Sequence, residues 1–313
     1  MPKSRDRGLP RWTCLLATVA CMAAVASENA GAAQRVHQPG GAAASATAAA
    51  LIARVQAYWT PKRMQNARPL DGGRGTASLS SAGHTSVSQP TTPPFSFNGR
   101  LFVRQGGQSG FCSGTAIDSP TRQLVLTAAH CVNSGPVNSR RQSFWSQYLE
   151  FVPAYTRGQA PPFGTFVAQR GRVYAPAPWA KQGNPNFDVG AFLVYPNAAA
   201  QNLADAVGGG AKVAYDLSRK QQFQSFAYPG NSGQMQECDS PYFGSDRFTF
   251  PLSGKPTMAI HCRWSPGASG GGWLINGTTT INGLNSYLLR RNRSRTFGPY
   301  FNSGNVGRLI DGL

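Results

Sequence analysis

The chain has 313 residues, 41% of them apolar, and carries 30 Lys and Arg against 12 Asp and Glu, a formal charge of +18. The apolar share supports a packed core, while 36 Gly and 23 Pro argue against long helices and for many short strands joined by turns. The positive balance suggests attraction to anionic surfaces, with an anionic cell-surface polymer as a partner. No zinc-finger, helix-turn-helix or aromatic RNA-binding signature accompanies it, which argues against a specific nucleic-acid partner.

Residues 1–33 read as a secretory signal peptide. Lys3, Arg5, Arg7 and Arg11 form a basic start, and Trp12 to Ala26 is an apolar run of about fifteen residues, too short to span a bilayer comfortably. Ala24-Val25-Ala26 and Ala30-Gly31-Ala32 both fit a small-x-small cleavage site. No other stretch is long and apolar enough to cross a membrane, so the expectation is a secreted, extracellular protein. Loss of Cys14 and Cys21 leaves Cys112, Cys131, Cys238 and Cys262. An even count in a secreted chain reads as disulfides, with three pairings open. The four lack a Cys-x-x-Cys spacing, so no metal site is expected of them, and no cofactor is implied.

Residues 34–94 form a separate region, either a pro-segment or an N-terminal arm packed on the domain C-terminal to it. Ala42 to Tyr58 is alanine-rich, with Leu51, Ile52, Val55 and Tyr58 at helical spacing. Thr60-Pro61 ends that pattern or begins a second short helix through Met64 and Ala67. Gly72 to Pro94, rich in Gly, Ser and Thr and ending Thr-Thr-Pro-Pro, reads as a linker with no core of its own.

From 95 to 313 the pattern is one of short strands: Arg100–Arg104, Gly110–Ile117, Gln123–Thr127, Tyr148–Val152, Gly164–Gln169, Val189–Tyr195, Gln222–Tyr228, Thr257–His261, Trp273–Asn276 and Thr279–Asn285. Asn276-Gly277 and Asn282-Gly283 read as turns that punctuate them. So many short strands predict an all-β barrel or sandwich. Arg290, Arg291, Arg293 and Arg295 make the densest basic cluster and read as a solvated loop.

Two motifs carry chemistry. Leu124 to Cys131 is an apolar strand ending in Thr-Ala-Ala-His-Cys, and Gly267-Ala268-Ser269-Gly270-Gly271 places a serine in a glycine-rich turn. A serine hydroxyl is a weak nucleophile until a base takes its proton. His130 is the candidate base. Glycines let the chain turn sharply enough to present both the hydroxyl and backbone N–H groups to a substrate, here those of Gly267 and Ser269 as an oxyanion hole. Among the acids between His130 and Ser269, Asp188 stands out because it opens the apolar run Val189 to Val194. It is the candidate group that fixes the imidazole. The order His–Asp–Ser is the reverse of that in α/β-hydrolase esterases, where the serine comes first.

Together these motifs resemble the chymotrypsin/trypsin-like serine endopeptidases, over roughly Phe95 to Leu313. The resemblance implies two six-stranded antiparallel barrels with the site between them and a short C-terminal helix near Val306 to Ile310. It implies hydrolysis of polypeptide substrates through a triad of His130, Asp188 and Ser269. It also implies a Cys112–Cys131 disulfide, which leaves Cys238 to pair with Cys262. Ala268 stands where animal trypsins carry the aspartate that receives the activated N-terminus, and no Ile-Val-Gly-Gly start occurs. The chain therefore resembles bacterial trypsin-like and glutamyl-endopeptidase-like secreted members. By the same resemblance, Arg263 lies at the base of the primary pocket, with Ser286, Tyr287 and Leu288 as one wall and Gly298 opposite. An inward Arg263 favours Glu or Asp before the scissile bond; an Arg263 reaching solvent leaves room for aromatic or aliphatic residues. Either disfavours Lys and Arg. Asn285 stands where glutamyl endopeptidases carry a histidine. The alternative function is a catalytically silent relative that binds an anionic surface or partner.

Overall fold

The computed structural model describes residues 34–37, 48–71, 83–137, 142–230, 232–246, 252–289 and 292–313. The expected signal peptide lies outside the described residues, as do Arg290 and Arg291 and the side chain of Arg293. No helix among the described residues is long and apolar enough to cross a membrane.

The N-terminal region comprises β1 (Arg35–His37), α1 (Ala48–Tyr58), α2 (Pro61–Asn66), β2 (Arg68–Pro69) and β3 (Thr85–Ser86). Thr60-Pro61 opens α2: the Thr60 side chain accepts from the Arg63 N–H and Pro61 fills the first turn, where its missing N–H costs nothing. Of the helical stripe read from sequence, Val55 is buried, and Trp59 and Met64 join it in the main core cluster.

Six strands come next: β4 (Asn98–Gln105), β5 (Gln108–Ile117), β6 (Leu124–Thr127), β7 (Gln147–Pro153), β8 (Phe166–Pro176) and β9 (Gly190–Val194), with the one-turn helix α3 (Ala129–Val132) after β6. They pair antiparallel in the ring β8-β7-β4-β5-β6-β9, closed by β8 on β9. Leu101, Phe151, Val125 and Phe192 are fully buried in the core cluster this ring encloses. The N-terminal region is woven into it, β1 against β8 and β2 parallel to β5.

The second sheet contains β10 (Lys212–Val213), β11 (Gln222–Ala227), β12 (Gln236–Gly244), β13 (Met258–Ile260), β14 (Gly272–Ile275), β15 (Thr280–Leu284), β16 (Tyr287–Leu289) and β17 (Asn292–Gly298). It runs β10-β15-β14-β11-β12-β13-β17-β16 and curls into a half-barrel without a closing pair among the described residues. The architecture is mostly β, with a short C-terminal helix at Arg308–Ile310. Of the stretch 72–94, read as linker, the described residues 83–94 do not hang free. Thr85 and Ser86 pair with β12, and the Val87 N–H bonds the Met235 carbonyl.

Two disulfides are present, Cys112–Cys131 and Cys238–Cys262. The first ties β5 to α3. The second links β12 to the segment that leads toward Ser269.

Candidate active site

The site assembles from the ends of β6 and β9 and from the turn before β14. His130 sits in α3, directly after β6. Asp188 caps the turn Pro185–Phe187 just ahead of β9, and the antiparallel pairing of β6 with β9 brings the two together. The Asp188 carboxylate accepts twice from this histidine, at Oδ1 from the His130 backbone N–H and at Oδ2 from Nδ1, both at 2.8 Å. The Ser286 hydroxyl donates a third bond, also to Oδ2.

These contacts set the charges. Burial would push His130 down, but the Asp188 charge and hydrogen bond, with a further contribution from Asp71, hold the imidazole above its ordinary value. Burial would likewise push Asp188 up; the His130 charge and the bonds from His130 and Ser286 hold it below the usual carboxylate range. An ionised Asp188 fixes the proton on Nδ1 and leaves Nε2 as the basic nitrogen.

Ser269 is buried, at 4% exposure, at the tip of the glycine turn. Gly267 has φ +95° and Gly270 φ +83°, backbone conformations in which a side chain is strained. Space forbids one as well: a Cβ on Gly267 would lie 2.5 Å from the Phe111 ring, and one on Gly270 2.3 Å from the Ser113 carbonyl. The turn is pinned to β5, since the Ser113 N–H donates to the Ser269 carbonyl at 2.7 Å and the Ser113 hydroxyl to the Gly267 carbonyl at 3.0 Å.

The partners of Ser269 are not those the sequence suggested. Its Oγ donates to Asp71 Oδ2 at 2.7 Å and approaches the Ser286 carbonyl at 3.4 Å. Gly267 N–H, the candidate oxyanion donor, bonds Asp71 Oδ1 at 2.8 Å. His130 Nε2 is buried with no hydrogen-bond partner. Asp71 lies ahead of His130 in the chain, outside the interval in which a His–Asp–Ser order places its acid. Nothing local marks it; only the parallel docking of β2 on β5 delivers it to the site. Four of the other six acids in that interval are engaged elsewhere: Asp205 with Arg122, Asp216 with Lys255, Glu237 with Gln224 and Asp246 with Tyr287.

The expected pocket residues divide. Ser286, expected on the wall, touches Ser269 through its carbonyl and Asp188 through its hydroxyl. Tyr287 stacks on Phe297 with ring centroids 5.2 Å apart and shares hydroxyl bonds with Thr257 and Asp246. Leu288 pairs with Thr296, and Gly298 with Met258 across the adjoining strands. Arg263 is half-buried, its Nε covered and without a hydrogen-bond partner, and no described carboxylate forms an ion pair with it. The Asn285 side-chain Oδ1 accepts from Trp273 Nε1 and the Ser225 hydroxyl, and its Nδ2 donates to the Ala268 carbonyl. It therefore supports the turn from within the core. Arg295, read as part of a solvated loop, stacks over Phe243 at 4.5 Å. Cys112, Cys131 and His130 cluster closely enough to suggest metal ligands, but both sulfurs are committed to the disulfide.

No protein-family profile and no curated protein sequence matches the chain. Solved structures do. The protease Anisep from Arthrobacter nicotinovorans is 31% identical, with a TM-score of 0.60 over 70% of this chain and 94% of that one. A thermostable serine protease, AL20, from an extremophilic microorganism is 24% identical, with a TM-score of 0.59 over 68% of this chain and 95% of that one. A Glu endopeptidase is 17% identical, with a TM-score of 0.57 over 74% of this chain and 97% of that one. The last two likenesses are of fold.

Proposed function

Because the chain belongs to the trypsin-like serine proteases, with bacterial enzymes among its structural neighbours, we propose that it is a secreted endopeptidase that cleaves polypeptides through His130, Asp188 and Ser269. The observation that carries this reading is the pairing of half-buried His130 with buried Asp188, which Ser286 joins to a serine whose turn also presents the Gly267 N–H. Ser269 Oγ attacks the scissile carbonyl carbon while His130 Nε2 takes its proton. Asp188 stabilises the imidazolium. The carbonyl oxygen, now negative, is held by the Gly267 and Ser269 N–H groups. His130 returns the proton to the leaving amine, the C–N bond breaks, and a water activated by the same imidazole hydrolyses the acyl-enzyme.

Two disulfides fit an oxidising compartment and support secretion. Arg263, half-buried and lacking a described carboxylate partner, supports discrimination against Lys and Arg before the scissile bond. The excess of Lys and Arg over Asp and Glu, most of it outside residues 1–33, supports retention on anionic wall polymers. The deciding experiment is labelling by a fluorophosphonate probe. Label lost in Ser269→Ala and in His130→Ala supports the assignment; label retained in Ser269→Ala overturns it.

A further inference from the structure

Asp71 occupies the place where reaction would put negative charge. Its two carboxylate oxygens take the Gly267 N–H at 2.8 Å and the Ser269 hydroxyl at 2.7 Å. Those are a proposed oxyanion donor and the proposed nucleophile. A hydroxyl that donates to Asp71 is not donating to His130, whose Nε2 is buried and unpartnered. A carboxylate brings its charge permanently, whereas a scissile carbonyl acquires one only in the transition state, so the preorganised donor is satisfied before any substrate arrives.

The approach of the chain is as telling as its end. β2 runs parallel to β5, Arg68 beside Gly110 and Pro69 beside Phe111, and the Leu70 N–H bonds the Phe111 carbonyl at 3.0 Å. Because Ser113 of β5 also holds the Ser269 turn, a segment laid along this edge leads directly to the nucleophile. At the nucleophile it presents a side-chain carboxylate, with no peptide bond to cleave. The segment is anchored on its N-terminal side: Trp59 is buried, its Nε1 donates to the Tyr148 carbonyl, and Tyr58 stacks on Tyr148 at 4.3 Å. Pro69 closes against Gly230, where a Cβ would come within 2.5 Å of the proline ring. After residues 72–82 the chain is anchored again, His84 stacking on Trp264 at 4.6 Å. Such tethering gives the carboxylate a high effective concentration at the site.

We propose that residues 68–71 form an intramolecular inhibitor, in which the Asp71 carboxylate fills the oxyanion position and withdraws the Ser269 hydroxyl from His130. The inference rests on the assignment of Ser269 as nucleophile. The strap lowers the reactivity of the full-length chain, and a free substrate or probe must first displace it.

The test is the rate of fluorophosphonate labelling of the purified full-length chain, compared with Asp71→Ala, Asp71→Asn and the charge-loss control Asp205→Ala, with intact mass and thermal melting measured in parallel. Removal of a group held by two charge-assisted hydrogen bonds is expected to raise the labelling rate about tenfold or more. Asp71→Asn should fall between Asp71→Ala and wild type. Asp205→Ala should label as wild type does, because its ion pair with Arg122 lies on the exposed surface and involves no residue of the site. Asp71 is itself exposed and outside the core, so its variants should stay folded and melt within a few degrees of the parent. Equal rates for Asp71→Ala and wild type, with the label still dependent on Ser269, overturn the strap and leave the triad standing. A folded Asp71→Ala protein that takes up no label overturns both.

Discussion

Ser286→Ala separates two roles for one residue. The sequence placed Ser286 on the wall of the primary pocket; the structure has its hydroxyl donating to Asp188, which also accepts from the His130 backbone and from Nδ1 at 2.8 Å each. A hydrogen bond to a buried charge contributes about 1.5–3 kcal/mol, and about 1.36 kcal/mol is one decade in rate. The whole bond would therefore be worth about one to two decades if it were lost only in the transition state. Two of the three bonds to Asp188 survive the substitution, and part of the loss falls on the ground state, so a drop of about tenfold in kcat is expected. KM and the preference for the residue before the scissile bond should hardly move. A peptide library that varies only the residue before the scissile bond, with kcat and KM measured on its best member, is the assay. An altered residue preference with unchanged kcat would refute the positioning role and return Ser286 to the pocket wall.

Replacement of His130 or Ser269 by Ala should each lower kcat by about four to six orders of magnitude, leaving the residual turnover that binding and backbone donors support; steady-state rates on a peptide substrate check this. His130 must be neutral to act as base, and Asp188 and Asp71 hold its pKa above the ordinary 6.5, so activity should rise with pH through a midpoint above that value. Asp71→Ala removes one of the raising charges and should shift the midpoint to lower pH, which a pH profile of kcat/KM measures. Replacing both Cys238 and Cys262 by Ala opens a loop with a sequence separation of 24, which should cost about 3–4 kcal/mol by chain entropy, read from the urea midpoint.

The parts of this protein that were legible in its sequence are those where one local pattern meets one physical demand. Leu124 to Thr127 reads as a buried strand because it is one, and a histidine after it stands at the barrel's rim. Asp188 was legible because a lone carboxylate ahead of an apolar run needs a reason to be there. β12 was missed because Gln236, Glu237, Asp239 and Ser240 look like loop. Its ladder to β11 instead buries alternate positions, Gln236, Cys238 and Ser240, behind a polar sequence. The second role of Ser286 and the presence of Asp71 depend on contacts across 98 and 198 residues of chain, and no local pattern announces those. The composition of 72–94 likewise left unread that its described part, 83–94, pairs with β12. A Gly/Ser/Thr-rich composition shows that a segment has no core of its own, but not that it lacks a neighbour's edge to pair with.

A single strand explains why inhibition and catalysis share so much of the structure. β5 carries Cys112, whose disulfide to Cys131 sits next to His130 in sequence. The adjacent Ser113 grips the Ser269 turn through its N–H and hydroxyl, and its carbonyl accepts from the Thr127 hydroxyl at 2.8 Å at the end of β6. On the other side of Cys112, Phe111 lies against Gly267 and gives its backbone edge to β2 and Leu70. Beneath Phe111 is Arg100, fully buried and 4.1 Å from that ring, with Tyr155 and Tyr228 on its other faces. Burial lowers its pKa only to about 10, so the guanidinium stays charged at neutral pH and the aromatic faces and the Ser232 carbonyl compensate it. The edge that receives the strap is thus the rigid edge that holds the nucleophile turn. A substitution that loosens β5 to free the strap would loosen Ser269 with it. Asp71 is the point where the two can be separated, because its side chain is exposed and its two contacts are to the reacting groups and not to the scaffold.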